Sequence, residues 1–213
     1  MIAEIYGFPV YMDKLSDPEK FLRYIQDIKL GKSDGWNAKC LVSSSDGSSE
    51  IEENDRNFIN DQIFDELCLH GERYLKELEI DVKMVPTRCN DLKCTGCRDI
   101  WVNKYEKGDS QDLHWHVDEE EDVLFSFTCF LKFDPEKDAS FVFVNPIPEY
   151  GIKCKKLREH PSFSAAMTPN IQEGTIIIFP PWMLHCVEEQ KTDGPRITIA
   201  GNFYEILKEE VKN

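Results

Sequence analysis

Two short stretches of the 213-residue chain concentrate side chains able to do chemistry. One is His114-Trp-His116-Val-Asp118. The other is Gly174-Thr-Ile-Ile-Ile-Phe-Pro-Pro-Trp-Met-Leu-His185, followed by Arg196-Ile-Thr198. In an extended strand, side chains at i and i+2 point to one face. His116 and Asp118 can therefore present an imidazole and a carboxylate side by side. His185, at the end of an apolar run, can add a third ligand. Two imidazoles and one carboxylate on one face of a metal suit Fe(II) and leave positions open for small co-reactants. The same alternation permits a second set, His114 with His116 and His185, closer to the three-histidine sites of catalytic zinc. Arg196 and Thr198 share a strand face, where a guanidinium fork and a hydroxyl can hold a carboxylate.

The elements that must position these groups follow from hydrophobic periodicity. Residues 2–11 suggest a short strand ending near Pro9. Ser16-Asp-Pro-Glu19 has the form of a capping box with proline in the first turn. Phe21, Leu22, Ile25 and Ile28 then follow at helical spacing, and Gly31 ends a helix reaching about Leu30. The polar stretch from Ser43 to Glu53 reads as a loop. Phe58, Ile59, Ile63, Phe64, Leu67, Tyr74, Leu75 and Leu78 predict a long second helix with a packed stripe. Strand signals dominate afterwards, at 100–105, 123–133, 141–144, 175–179 and 196–204, with loops expected over 147–170. Helices first and short strands later predict an α+β domain. An antiparallel jelly roll, as in cupins, accommodates such strands without a long exposed edge.

Composition narrows the partners. The chain carries 40 acidic against 25 basic residues, a formal net charge of -15. Affinity for phosphate backbones depends on Lys and Arg, so nucleic acid and anionic membranes are not expected as partners. No apolar run is long enough to span a bilayer. The N-terminal residues lack the basic start and apolar stretch of a signal peptide, which points to a cytoplasmic protein. The 8 cysteines are then expected as thiols or metal ligands rather than disulfides. Cys89, Cys94 and Cys97 form an incomplete zinc half-site pattern, leaving a structural zinc as one expectation and free thiols as the other.

Taken together, His116-x-Asp118, distal His185 and Arg196-x-Thr198 resemble the His-x-Asp, distal His and Arg-x-Ser pattern of 2-oxoglutarate/Fe(II)-dependent dioxygenases. The segment from Trp101 to Gly108, containing Tyr105, resembles the prolyl-hydroxylase-like branch, as does Gly174 to His185. The chain is most similar to small oxygenases of marine bacteria and their viruses, over about residues 99–204. The resemblance implies a single domain spanning 1–213: a helical N-terminal support over 1–98 and a double-stranded β-helix core over 99–204. It implies Fe(II) held by His116, Asp118 and His185. It also implies 2-oxoglutarate anchored through its far carboxylate by Arg196, with Thr198 and Tyr105, and conversion with O2 to succinate and CO2 while a substrate is hydroxylated. Thr198 replaces the usual Ser, and Asp138-Ala-Ser-Phe-Val-Phe stands where a Gly-Gly-x-Thr segment is usual, so prolyl hydroxylation itself is not carried over.

Charge selects between the two ligand sets within this resemblance. One carboxylate plus a chelating dianion offsets Fe(II), and Arg196 offsets the far carboxylate. The expected set is therefore His116, Asp118 and His185, with His114 at the rim orienting a ligand. A mobile entrance loop at 43–53 and the acidic run 119–122 would favour a cationic peptide or small molecule. Two non-enzymatic classes compete: a metal-binding jelly-roll module, and a zinc-stabilised interaction protein built on the Cys cluster. Arg196 discriminates, because only the enzyme needs a carboxylate anchor beside an open metal site.

Overall fold

In the computed structural model, residues 2–32, 38–43, 61–80, 84, 96–117, 123–145 and 164–204 are described. The chain opens with a hairpin, β1 (Ile2–Ile5) and β2 (Phe8–Lys14), joined by Tyr6-Gly7. Both linking residues have positive φ, 54° and 80°. That is the two-residue turn whose twist matches its flanking strands. Helix α1 (Pro18–Ile25) is shorter than the apolar spacing predicts. Its N-cap is Asp17 rather than Ser16: the Asp17 carboxylate accepts from the Lys20 amide at 3.0 Å. Pro18 occupies the first helical position, where its missing N–H costs nothing. Ser16 instead donates its backbone N–H and its hydroxyl to Glu66 of α2 (Asp61–Glu77).

Beyond Ile25 the chain leaves the helix and forms β3 (Gly31–Lys32), which pairs with β4 (Leu41–Val42). The strands β5 (Gly96–Tyr105), β6 (Gln111–His114), β7 (Val123–Lys132), β8 (Phe141–Val144), β9 (Ala166–Met167), β10 (Thr175–Phe179), β11 (His185–Val187) and β12 (Arg196–Tyr204) complete the set. They form an eight-stranded sheet in the order β1-β2-β10-β7-β12-β5-β4-β3 and a four-stranded sheet in the order β6-β11-β8-β9. The chain passes repeatedly from one sheet to the other, the winding of a double-stranded β-helix.

Strict alternation along the large sheet divides the core in two. Ile176 and Ile178, Phe127, Cys129 and Leu131, Val102, and Ile199 and Phe203 face the helices. There they meet Phe21 and Ile25 of α1 and Ile63, Leu67, Tyr74 and Leu75 of α2, much of the stripe expected from sequence. Phe58, Ile59 and the loop beyond Ser43 lie outside the described residues. The opposite face turns Ile177, Phe179, Phe130 and Tyr105 toward Phe141, Phe143 and Val187 of the small sheet. β10 is buried throughout because it is covered on both faces, which explains its unbroken Thr-Ile-Ile-Ile-Phe run. Each fully buried Ile, Leu or Phe contributes on the order of 1.5–3 kcal/mol. The N-terminal part is thus not purely helical: it also supplies four strands to the large sheet. The expected loop region over 147–170 contains β9, and its residues 147–163 lie outside the described ones.

Gly174 shapes the entry to β10. Its φ is +76°, and a Cβ built there meets Pro18 Cγ at 2.7 Å. Its N–H donates to the Phe130 carbonyl at 2.7 Å, and its own carbonyl accepts from the Leu15 amide at 2.8 Å, tying β10, β7 and the start of α1 together. Gly174→Ala is expected to lower stability by about 2 kcal/mol, since left-handed strain and overpacking add. Urea unfolding checks this: the midpoint should fall with the slope unchanged, and coincident curves would contradict it.

Candidate metal centre

His185 opens β11, and the double proline before it explains how it gets there. Pro180 and Pro181 cannot continue the β10 ladder. The Met183 amide donates to the Pro180 carbonyl at 3.1 Å, closing a turn that carries the chain to the small sheet. β11 then runs antiparallel to β6, and His185 sits directly across from His114. β6 ends at His114. His116 is held just beyond it, its amide donating to the Pro181 carbonyl at 2.9 Å. The alternation expected of the pentad survives: His114 and His116 line the same cavity, while Leu113, Trp115 and Val117 are exposed at 49%, 58% and 53%.

The three imidazoles converge. One ligand nitrogen from each of His114, His116 and His185 lies within 4.8 Å of the other two. His116 Nε2 and His185 Nε2 are 3.3 Å apart, and the His114 and His185 ring centroids are 4.2 Å apart. Backbone carbonyls orient two of the rings. His185 Nδ1–H donates to the Met183 carbonyl at 2.8 Å, and His114 Nδ1–H donates to the Asp112 carbonyl at 2.8 Å. Each leaves its Nε2 lone pair facing inward, the tautomer a metal requires. His116 stacks on Trp101, with centroids 5.8 Å apart, and His185 stacks on Phe141 at 5.2 Å. Burial lowers all three pKa values: His116 falls to about 3, helped by repulsion from His114, and His185 falls well below the usual range. Neutral rings with free lone pairs are the form that binds metal. Asp118, the carboxylate expected in the set, lies outside the described residues, as do Cys89 and Cys94; Cys97 lies in β5, and its side chain is not described either.

Arg196 and Thr198 lie on the facing large sheet. The β12–β5 register sets Arg196 opposite Tyr105, Thr198 opposite Asn103 and Ala200 opposite Trp101, and all six line the same cavity as the histidines. The cavity encloses about 290 Å³ of unfilled space, including its mouth. Arg196 is 1% exposed, and its Nε, Nη1 and Nη2 have no hydrogen-bond partner among the described residues. Its guanidinium lies 4.6 Å from the Tyr105 ring centroid and 5.4 Å from that of Phe130. Burial lowers its pKa, and burial likewise raises that of the Tyr105 phenol, which stays protonated.

Sequence reasoning missed Asn103 and Gln111. Asn103 donates to the Thr198 hydroxyl at 3.4 Å, and its own Oδ1 has no hydrogen-bond partner among the described residues. Gln111 accepts from the Tyr105 hydroxyl at 2.9 Å, and its Nε2 is 3.3 Å from His114 Nε2, so it spans the two ends of the cavity. The available signal was the Trp101-x-Asn103-x-Tyr105 alternation, which puts all three on the face used by Arg196-x-Thr198.

Facing sheets wound as a double-stranded β-helix carry a histidine cluster at one end of the cavity and an inward arginine at the other. Residues 99–202 match the family described as "Putative 2OG-Fe(II) oxygenase". That match covers slightly under half of the chain, and the fold is the double-stranded β-helix of the solved structures it resembles. No curated relative matches the sequence. Among solved structures, a Pseudomonas putida prolyl-4-hydroxylase aligns with TM-score 0.57 at 11% identity, over 93% of each chain. HygX from Streptomyces hygroscopicus, with nickel, 2-oxoglutarate and hygromycin B bound, aligns with TM-score 0.54 at 13% identity, over 93% of this chain and 82% of that one. The epimerase SnoN, in complex with Fe3+, alpha ketoglutarate and nogalamycin RO, aligns with TM-score 0.59 at 12% identity, over 92% and 78%. At these identities the likeness is one of fold. No helix among the described residues is long and apolar enough to cross a membrane.

The buried imidazoles set the acid limit of the metal-free protein. His70, 2% exposed in α2, is also lowered by burial, so four described histidines have depressed folded-state values. Their unfolded values lie near 6.5. Below that pH the unfolded chain binds more protons, so the stability they contribute is present above about pH 6.5 and lost as pH falls. Each proton adds up to ~1.4 kcal/mol per pH unit. Urea unfolding of metal-free protein between about pH 7 and pH 5 should show this loss; a flat profile would contradict it.

Proposed function

We propose that this protein couples oxidation of 2-oxoglutarate by O2, at Fe(II), to hydroxylation of an organic substrate, releasing succinate and CO2. The observation that carries the reading is Arg196, a buried guanidinium with its three nitrogens unpartnered among the described residues, in the cavity that holds the histidine cluster. Leaving a charge buried and uncompensated costs several kcal/mol. The Tyr105 ring offsets on the order of 2 kcal/mol of this. An anion of matching planar geometry offsets the remainder, and a carboxylate takes the fork in two parallel bonds. A non-catalytic metal-binding module has no use for such a group.

In this reading His116 and His185 would be among the groups holding the metal, which would supply the activation of O2. Arg196 and Thr198 hold the far carboxylate of 2-oxoglutarate, and the neutral Tyr105 phenol becomes a third donor when its O–H turns from Gln111 to the carboxylate. Asn103 holds the Thr198 hydroxyl in place. Trp101 packs against His116 and fixes its ring plane. Phe141 and Phe179 seal the other side of His185 and exclude water there. The fold is shared with an epimerase and a carbocyclase as well as hydroxylases, so hydroxylation is the part of this reading that rests on the prolyl-hydroxylase-like resemblance.

The test is Arg196→Leu beside the wild type. Wild-type protein should form succinate from 2-oxoglutarate only with Fe(II) and O2. The variant should need at least about thirtyfold more 2-oxoglutarate, corresponding to roughly 2–5 kcal/mol of lost interaction. Without cosubstrate the same variant should be as stable as the wild type, or more so by about 1–4 kcal/mol, because a buried charge has been replaced by an apolar group. Equal 2-oxoglutarate affinity in both proteins would refute the role of Arg196, and no succinate from the wild type would refute the reaction.

A further inference from the structure

We infer that His114 is itself a metal ligand, so that the centre is a three-histidine site formed by His114, His116 and His185. The inference rests on the oxygenase reading for its metal and cosubstrate, and it places the ligand pair two residues earlier than the sequence pattern suggests.

The argument starts from register. β6 and β11 are antiparallel, and His114 is the cross-strand partner of His185. Side chains of directly opposed residues stand on one face of the sheet, close enough to share a small ligand. These two rings are the closest histidine pair in the cluster, with centroids 4.2 Å apart against 5.1 Å for each of the other two pairs. His116 follows at i+2, beyond the end of β6. Its amide is pinned to Pro181, and its Nε2 is already 3.3 Å from that of His185. Three ligand nitrogens lie within 4.8 Å of one another, against the roughly 4.2 Å that two nitrogens bound at about 2.1 Å can span, so a small ring rotation brings all three onto one divalent ion.

The tautomers agree with this assignment. A rim residue orienting a bound ligand would keep an N–H pointed into the site. His114 instead spends its Nδ1–H on the Asp112 carbonyl and turns Nε2 inward. There the lone pair accepts from the Gln111 amide at 3.3 Å in the metal-free protein. Gln111 then acts as a placeholder: binding of the ion takes the lone pair, and the amide is released toward the cavity it lines. His185 shows the same arrangement, with Nδ1–H donated to a carbonyl two residues back.

The electrostatic consequence differs from that of a two-histidine, one-carboxylate site. Three neutral imidazoles leave the full dication charge uncompensated by the protein. The 2-oxoglutarate dianion then supplies the neutralising charge, with Arg196 at its far end. Metal retention should accordingly depend on His114 and not on Asp118, and cosubstrate should strengthen metal binding.

The experiment measures Fe(II) and Co(II) affinity anaerobically on metal-free full-length protein, by calorimetry, without any turnover. His114→Ala should weaken binding at least a hundredfold, Asp118→Ala should stay within about threefold of wild type, and His114→Asp should recover part of the loss by restoring a donor. Circular dichroism of the metal-free variants checks that the fold is retained. Pulsed electron paramagnetic resonance of Cu(II)-loaded wild type, which needs no variant to fold, should show three coupled imidazoles. His114→Ala binding like wild type, Asp118→Ala losing the metal, or only two coupled imidazoles would each overturn the assignment. Failure of the oxygenase reading would look different: metal bound by three imidazoles, with no succinate formed.

Discussion

The Arg196 guanidinium is buried with no hydrogen-bond partner among the described residues, and a charge so placed is costly. A cation at such a position does not stabilise the fold. The stability must come from elsewhere, and the two-sided large sheet supplies it. One face of that sheet packs Ile, Phe and Leu side chains against α1 and α2, and the other packs aromatic rings against the small sheet. The rings that surround the guanidinium, Tyr105, Phe130 and Phe133, belong to that second core. They give the charge a weakly attractive wall without satisfying its donors.

The remaining structure holds the two ends of the cavity at a fixed separation. The histidine end belongs to the small sheet and the arginine end to the large one, so their spacing depends on the turns that join the sheets. Gln190, fully buried, links several of them. Its carboxamide accepts from the Ala139 amide at 2.7 Å and donates to Asp138, Thr192 and the Gly194 carbonyl. Its backbone exchanges hydrogen bonds with Gly108 and Asp109 at 2.8 Å each. One residue thus joins the β5–β6, β7–β8 and β11–β12 connections. Gly108, at φ +88°, supplies the backbone conformation that lets the chain leave Tyr105 on one sheet and reach Gln111 on the other.

Much of this was legible in the sequence because it rests on periodicity. β7, β8, β10 and β12 fall within a residue of where alternation and turn residues put them, and the stripe on α2 packs as its spacing requires. The convergence of His116 with His185 and the inward face of Arg196 and Thr198 follow from the same period of two. Three things were not legible. The length of α1 was overestimated because Ile28 fits a helical stripe equally well when it packs from an irregular segment. The N-cap moved by one residue because Ser16 found a tertiary partner in Glu66. The role of Gln111 depends on which residues face it across the cavity, which no local pattern encodes. Among the described residues Cys40, Cys129 and Cys186 are free thiols, and burial pushes the Cys40 thiol up to about 12.

The alternation that builds the metal centre has a consequence on the outside of the molecule. If His114 and His116 point inward, then Leu113, Trp115 and Val117 must point outward; no other placement is open to them. Trp182, 51% exposed, lies in the turn whose Pro181 carbonyl holds His116, and its ring meets Phe8 edge-on at 6.3 Å. The exposed apolar residues of this strand are therefore not independent of the site. They share its backbone, so anything that moves them displaces the imidazoles by the same segment. The small sheet ends at β6, and its terminal strand carries ligands on one face and bulky apolar side chains on the other. On that side the candidate metal centre is held by the cross-strand pairing of His114 with His185, the bond from the His116 amide to Pro181, the stacking of His116 on Trp101 and the bond from His114 to the Asp112 carbonyl.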